Sequence, residues 1–273
     1  MATVKANGVE LYYEVHGAGE PLLLIMGLGA NAANWHAQVP VLSREFQVIA
    51  FDNRGAGRSE KPGGSYSIHQ MADDSAALME QLGIASAHVF GMSMGGMIAQ
   101  ELILQHPARV RSLVLGGTMA GGPTSVRPDA STIKDFVRLT TLPPAEALEI
   151  GLSLLYSDEF IAANKPTLVK RAIEFSHLMA PMQALQRQVM AVLGFNAHSR
   201  LHHVEVPTLI LHGTVDKIVP YPNSEILLDR ISDSRLITYE GAGHGLLVER
   251  AADVNAAVLD FLRENRTHFV SAK

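Results

Sequence analysis

Six short apolar runs constrain this chain more than any other feature of it. "PLLLIM" (21–26), "FQVIAF" (46–51), "AHVFG" (87–91), "SLVLG" (112–116), "TLILHG" (208–213) and "RLITYEG" (235–241) are rich in Val, Ile and Leu and bounded by Gly or Pro. Strands buried on both faces have this composition, which points to a parallel sheet sandwiched between helices. A seventh run, "VELYYEV" (9–15), alternates instead, with Val9, Leu11, Tyr13 and Val15 on one face. It reads as a half-exposed strand near a sheet edge.

Helical patterns fall between the runs. Ser67 and Gln70 form a capping box ahead of "IHQMADDSAALMEQL", whose apolar residues follow helical spacing until Gly83. "MGGMIAQELILQH" is apolar nearly all round and ends at Pro107, as a central buried helix would. "SEILLDRI" (224–231) and "AADVNAAVLDFLREN" (251–265) are amphipathic. Strand alternating with helix gives an α/β fold with a mostly parallel sheet. Residues 119–203 break the rhythm. They contain no good strand, and "STIKDFVRLTTL", "PAEALEIGLSLLY" and "PMQALQRQVMAVLGF" read as helices separated by "GGP", "LPP", "KP" and "AP". The expected organisation is a core domain from 1–118 and 204–273, with 119–203 as a helical cap inserted before the last two strands. Ligands of open α/β sheets bind beyond the strands' carboxyl ends, so a cap there would act as a lid.

Bulk properties narrow the function. A chain of 273 residues with 47% hydrophobic and 18% charged residues can bury a sizeable core. Its formal net charge of −5 argues against a nucleic-acid partner. It has no cysteine, which removes disulfides and thiolate chemistry. "MATVKANGVELYY" has no apolar core of signal-peptide length, and no run approaches a membrane span. The expectation is a soluble cytoplasmic protein with no membrane partner. The oligomeric state stays open, a homodimer among the options.

The chemistry gathers at "HVFGMSMGGMIAQEL" (88–102). Gly91-Met92-Ser93-Met94-Gly95 has the form G-x-S-x-G where a strand gives way to a helix. A turn that tight forces the serine into a strained backbone and leaves its hydroxyl protruding, with the helix N-terminus behind it. A serine needs a base, and imidazole titrates near neutrality. Of twelve histidines, His244 stands out in "YEGAGHGLLVER", a Gly-rich loop between the last strand and the last helix. His88 and His212 lie in apolar strands and read as structural. His106 ends a helix, where imidazole suits the dipole. His198 and His202 have i, i+4 spacing but lack a third ligand, so no metal site is expected. The carboxylate that would fix the His244 tautomer is Asp216, in the loop "GTVDKIVP" after a buried strand. The chain order is serine, aspartate, histidine.

"GMSMGG", "GTVDKIVP", "GAGHGLLVE", "FDNRGAGRS" (51–59) and "LIMGLGANAANW" (24–35) together resemble the α/β-hydrolase family over nearly the whole chain. "GMSMGGMIAQ" and "FDNRGAGRSE" are similar to 3-oxoadipate enol-lactonases, small carboxylesterases and cofactor-free perhydrolases. The resemblance implies an eight-stranded, mostly parallel sheet flanked by helices, and catalysis by Ser93, Asp216 and His244 without a cofactor. It also implies an oxyanion hole made by the Leu28 and Met94 N–H groups. Where many relatives have His before Gly in the first of those loops, this chain has Met26-Gly27. Asp52 and Arg54 are read as tying their turn together.

Met26, Leu28, Trp35, Met92 and Met94 come from segments near Ser93, and Met179, Met182, Met190 and Phe195 lie on the cap helices. Some of these would make an adaptable apolar pocket. Only Lys217 and Arg250 stand beside the triad segments as cations. The expected substrate is therefore a small, uncharged, hydrophobic ester or lactone. A perhydrolase or haloperoxidase, a carbon–carbon bond hydrolase and a non-catalytic ligand receptor are the alternatives.

Overall fold

The computed structural model describes residues 2–139 and 141–266. Its strands are β1 (Ala2–Ala6), β2 (Val9–His16), β3 (Glu20–Ile25), β4 (Phe46–Phe51), β5 (Ala87–Met92), β6 (Val110–Gly116), β7 (Thr208–Gly213) and β8 (Ser234–Tyr239). They form one sheet in the order β1-β2-β4-β3-β5-β6-β7-β8. The β1–β2 and β2–β4 pairs are antiparallel, and every other pair is parallel. The helices are α1 (Val39–Leu42), α2 (Ile68–Gln81), α3 (Met94–Gln105), α4 (Ala130–Arg138), α5 (Pro144–Leu155), α6 (Asp158–Glu174), α7 (Met182–Leu193), α8 (Pro222–Arg230), α9 (Leu246–Glu249) and α10 (Ala251–Glu264). Among the described residues no helix is long and apolar enough to cross a membrane.

Both faces of the sheet are covered, as the unbroken apolar runs require. Leu23, Ile25, Val89 and Leu113 face one way and pack with α2, α3 and α8. Leu22, Leu24, Phe90 and Val114 face the other way and pack with Trp35, α1, α9 and α10. Helix α2 starts at Ser67, whose side chain accepts the Gln70 N–H, and gives way at Gly83, where φ is +69°. From Met94 to Ile103 every residue of α3 is buried.

β2 lies near one sheet edge as expected, with the N-terminal β1 outside it. Three expectations need correction. "RLITYEG" forms β8 at the opposite edge, where only Tyr239 of the strand is buried, so it is not enclosed on both faces. On β2, Val9 and Leu11 are buried, Tyr13 is half-buried and Val15 is exposed, so the alternation does not give one buried face along its whole length. Between β6 and β7 a further helix, α6, runs straight through the "KP" read as a break. Pro166 lies on its exposed face, as does Ala162, whose carbonyl loses its partner to the proline and can turn to water. The ends of this helical stretch are stitched together. Ala197 N–H donates to Ala120 O (2.8 Å) and Gly122 N–H to Phe195 O (3.0 Å).

The parallel register aligns strand ends. Ile25 pairs with Gly91, Met92 with Gly116, and Gly213 with Tyr239. The segments that follow β3, β5, β6, β7 and β8 therefore emerge along one edge.

Candidate active site

Ser93 is the single residue between Ala87 and Ile103 that is not buried. Its φ of 56° and ψ of −122° lie where L-residues rarely go. The strain is held by its surroundings. The Ser93 N–H donates to Gly116 O (2.8 Å), and its carbonyl accepts from Thr118 Oγ1 (2.8 Å) and Gly96 N–H (2.9 Å). The turn needs its glycines. A Cβ on Gly91 would lie 2.3 Å from Gly95 O, and one on Gly95 would lie 2.0 Å from Ile25 O. The Ser93 side chain lies against Gly27, where a Cβ would come within 2.9 Å of Ser93 Cβ and 3.4 Å of its Oγ.

Two and three strands away, Asp216 and His244 meet across the loops after β7 and β8. His244 Nδ1 and Asp216 Oδ2 are 2.7 Å apart, and both residues are buried. The other carboxylate oxygen accepts the Ile218 and Val219 N–H groups (2.9 and 2.8 Å). Burial pushes the Asp216 carboxyl up. The two neighbouring imidazoles, His244 first, outweigh this and hold it down at about 2. An ionised Asp216 makes Nδ1 the protonated nitrogen of His244 and leaves Nε2 with its lone pair free. The His244 ring packs beside Gly117, where a Cβ would lie 3.4 Å from its Cε1 and Nδ1. Ser93 and His244 thus touch adjacent residues at the end of β6. Among the described residues Ser93 Oγ makes no hydrogen bond to His244.

The amides of Leu28 and Met94 also have no acceptor among the described residues. The loop carrying Leu28 is fixed around them. Asn53 donates to Met26 O (2.8 Å), and Gly29 N–H donates to Gln188 Oε1 (2.8 Å). Gln188 in turn donates to Arg54 O (2.9 Å). Asp52 and Arg54 have separate partners. Asp52 accepts from Ala32 N–H (2.7 Å) and from Arg58, whereas Arg54 pairs with Asp74 at 2.5 Å in a buried contact. Asn53 and Asp52 therefore anchor the Leu28 loop and the turn that follows it.

The apolar lining differs from expectation. Met26, Met92 and Met94 are buried beside Ser93. Met179, Met182 and Met190 point to solvent at 73%, 43% and 65% exposure, and Trp35 packs its ring at a tilt against Phe90 in the core. Among the described residues no three His, Asp or Glu side chains group as metal ligands; His268 lies outside the described residues. Gln188 and Glu249 are not among the residues expected from the sequence, and His212 is expected there only as a structural histidine. His212 Nε2 contacts Val219 O (2.8 Å) and lies 3.5 Å from Asp216 Oδ2. Gln188 interrupts the buried stripe of Ala184 and Ala191, a polar break that spacing alone could have flagged.

The family model for the alpha/beta hydrolase fold matches residues 20–251. The chain belongs to the α/β-hydrolase family. This hydrolase is 32% identical to a protein of Azorhizobium caulinodans assigned as the carbamate hydrolase RutD, over 97% of this chain and 99% of that one. It superposes on the enol-lactonase of Burkholderia xenovorans LB400 with a TM-score of 0.84 and 27% identity, covering 96% of this chain and all of the other. A thermophilic esterase from Thermogutta terrifontis matches with a TM-score of 0.83 and 28% identity, over 98% of this chain and 100% of that one. Hydrolysis is the activity class these likenesses share.

Proposed function

We propose that this hydrolase cleaves a small, uncharged, hydrophobic carboxylic ester or lactone through an acyl-enzyme. The carrying observation is Ser93, strained and alone accessible in a buried strand-to-helix turn, at the same sheet edge as the hydrogen-bonded His244–Asp216 pair. Ser93 Oγ attacks the acyl carbon while His244 Nε2 takes its proton. Asp216 holds the imidazole and stabilises the imidazolium. The oxygen that becomes negative sits between the Leu28 and Met94 amides, each free to donate to it. The His244 imidazolium gives its proton to the leaving alkoxide. Water, deprotonated by the same imidazole, then releases the acid. The missing Ser93–His244 hydrogen bond forms as substrate binds, since such contacts are often loose without ligand.

The helical stretch between β6 and β7 acts as the lid. It reaches both sides of the site, through Gln188 on Gly29 and through Leu155 O on Gly245 N–H (2.6 Å). An uncharged substrate is favoured by the use made of the two nearby cations. Lys217 Nζ donates to Ser153 O (3.0 Å), and Arg250 donates to Glu240 O (2.9 Å). Carbamate cleavage is the second reading, favoured by the relative named for it over nearly the full chain. It would use the same residues through a carbamoyl-enzyme.

The test is a panel of p-nitrophenyl esters of increasing acyl length, with lactones and an aryl carbamate, on wild type and Ser93→Ala. Wild type should turn over the short esters, and Ser93→Ala should be slower by about 10⁴- to 10⁶-fold. Near-normal turnover by the variant would refute the proposal.

A further inference from the structure

His244 lies between two glycines, and both of its flanking amides end on one corner of the helical insertion. The Gly245 N–H donates directly to Leu155 O (2.6 Å). The Gly243 N–H donates to Glu249 Oε2 (3.0 Å), and the same oxygen accepts the Ser157 N–H (3.4 Å). The Ser157 hydroxyl donates to Glu249 Oε1. Ser157 is also the N-cap of α6, its Oγ accepting the Phe160 N–H (3.2 Å). Side-chain room is gone on both sides. A Cβ on Gly243 would lie 2.7 Å from Leu155 O, and one on Gly245 would lie 2.3 Å from the Tyr156 ring. The 242–243 and 244–245 peptide groups on either side of His244 are thus tied to residues 155–157, the second directly and the first through the Glu249 carboxylate.

That arrangement bears on the reaction because Asp216 fixes only one end of the imidazole. The direction of the His244 Cα–Cβ bond is set by the backbone at 243–245, and Ser93 Oγ has no hydrogen bond to the ring in this structure. A small rotation of the segment changes the distance between Oγ and Nε2, and catalysis is steep in that distance. We propose that Glu249 and Ser157 are positioning residues that couple the α5–α6 corner to the His244 imidazole, so that seating of the insertion sets the base for proton transfer. The inference rests on the reading of Ser93 and His244 as nucleophile and base.

The experiment is steady-state hydrolysis of p-nitrophenyl butyrate by Ser157→Asp, Glu249→Ala and the double variant Ser157→Asp/Glu249→Gln. Aspartate caps a helix as well as serine does, so Ser157→Asp keeps α6 capped while setting a second carboxylate against Glu249. Glu249→Ala tests the same link from its other end. Each single variant should lose about 10- to 100-fold in kcat with KM within about twofold. Glutamine at 249 can accept from Gly243 and donate to the introduced carboxylate. The double variant should therefore recover to within about threefold of wild type. Near-ultraviolet circular dichroism from the buried Trp35 checks that each variant is folded. The inference is overturned if both single variants keep kcat within about twofold, if the loss falls on KM alone, or if the double variant fails to recover. Ser93→Ala is run beside them. Its retained turnover would instead overturn the reading of the site itself.

Discussion

The two arms of the site are built in opposite ways. On the acid–base arm every oxygen of Asp216 is engaged, by two backbone amides on one side and by His244 and His212 on the other. On the oxyanion arm the Leu28 and Met94 amides are left without acceptors, while the backbone around them is tied by Asn53 and Gln188. In the first arm the carboxylate is already fully satisfied. The second is rigid but open, at the place where the proposed mechanism puts the developing negative charge. Donors fixed in advance need no reorganisation as the reaction proceeds, and this is where they stabilise a transition state most.

The comparison can be broken from either side. The largest effect is expected on the closed arm. Asp216→Asn keeps the shape but stabilises the wrong His244 tautomer, and kcat on p-nitrophenyl esters should fall by about 10⁴-fold. A normal rate in that variant, with another carboxylate variant inactive, would move the acid elsewhere. On the open arm, Gly27→Ala sets a methyl group 2.9 Å from Ser93 Cβ, which must shift the serine or the loop. A loss of about 10- to 100-fold in kcat/KM is expected, smaller than for the aspartate. An equal or larger loss would reverse the ranking of the arms. The smallest effect is on stability. The folded pKa of Asp216 lies at about 2, below that of an unfolded aspartate near 4. Its ionised form therefore stabilises the fold fully above about pH 4, and that contribution is lost as the pH falls through about 2. The urea midpoint should drop more for wild type than for Asp216→Asn between pH 5 and pH 2.5. Equal drops would mean that the carboxylate is not held down by its neighbours.

What could be read from the chain divides along the same physical line. The Ser93 turn is a local event, written in five consecutive residues between an apolar strand and an apolar helix. The six apolar runs are likewise local, and each of them is a strand of the sheet, although β8 at the edge is only partly buried. β1 is only five residues long and gains its status from pairing with β2, which its own sequence does not announce. Helix α6 hides behind Pro166, because the cost of a proline depends on whether the freed carbonyl reaches water, a property of the folded surface. His212 lies only four residues from Asp216, but Gln188 and Glu249 have partners 159 and 92 residues away. Contacts between segments so far apart leave little mark on the local pattern. The exposed methionines between β6 and β7 show the same limit from the other side. Helical spacing predicts a face, and the packing of the whole insertion decides whether that face is covered.

The account stands on Ser93 being a nucleophile activated by His244. Exposure to a fluorophosphonate, followed by intact mass and peptide mapping, tests this most directly. One adduct on the peptide carrying Ser93, formed by wild type and lost in His244→Ala, is the expected result. Labelling at another residue, or labelling of Ser93 at an undiminished rate without His244, would contradict it.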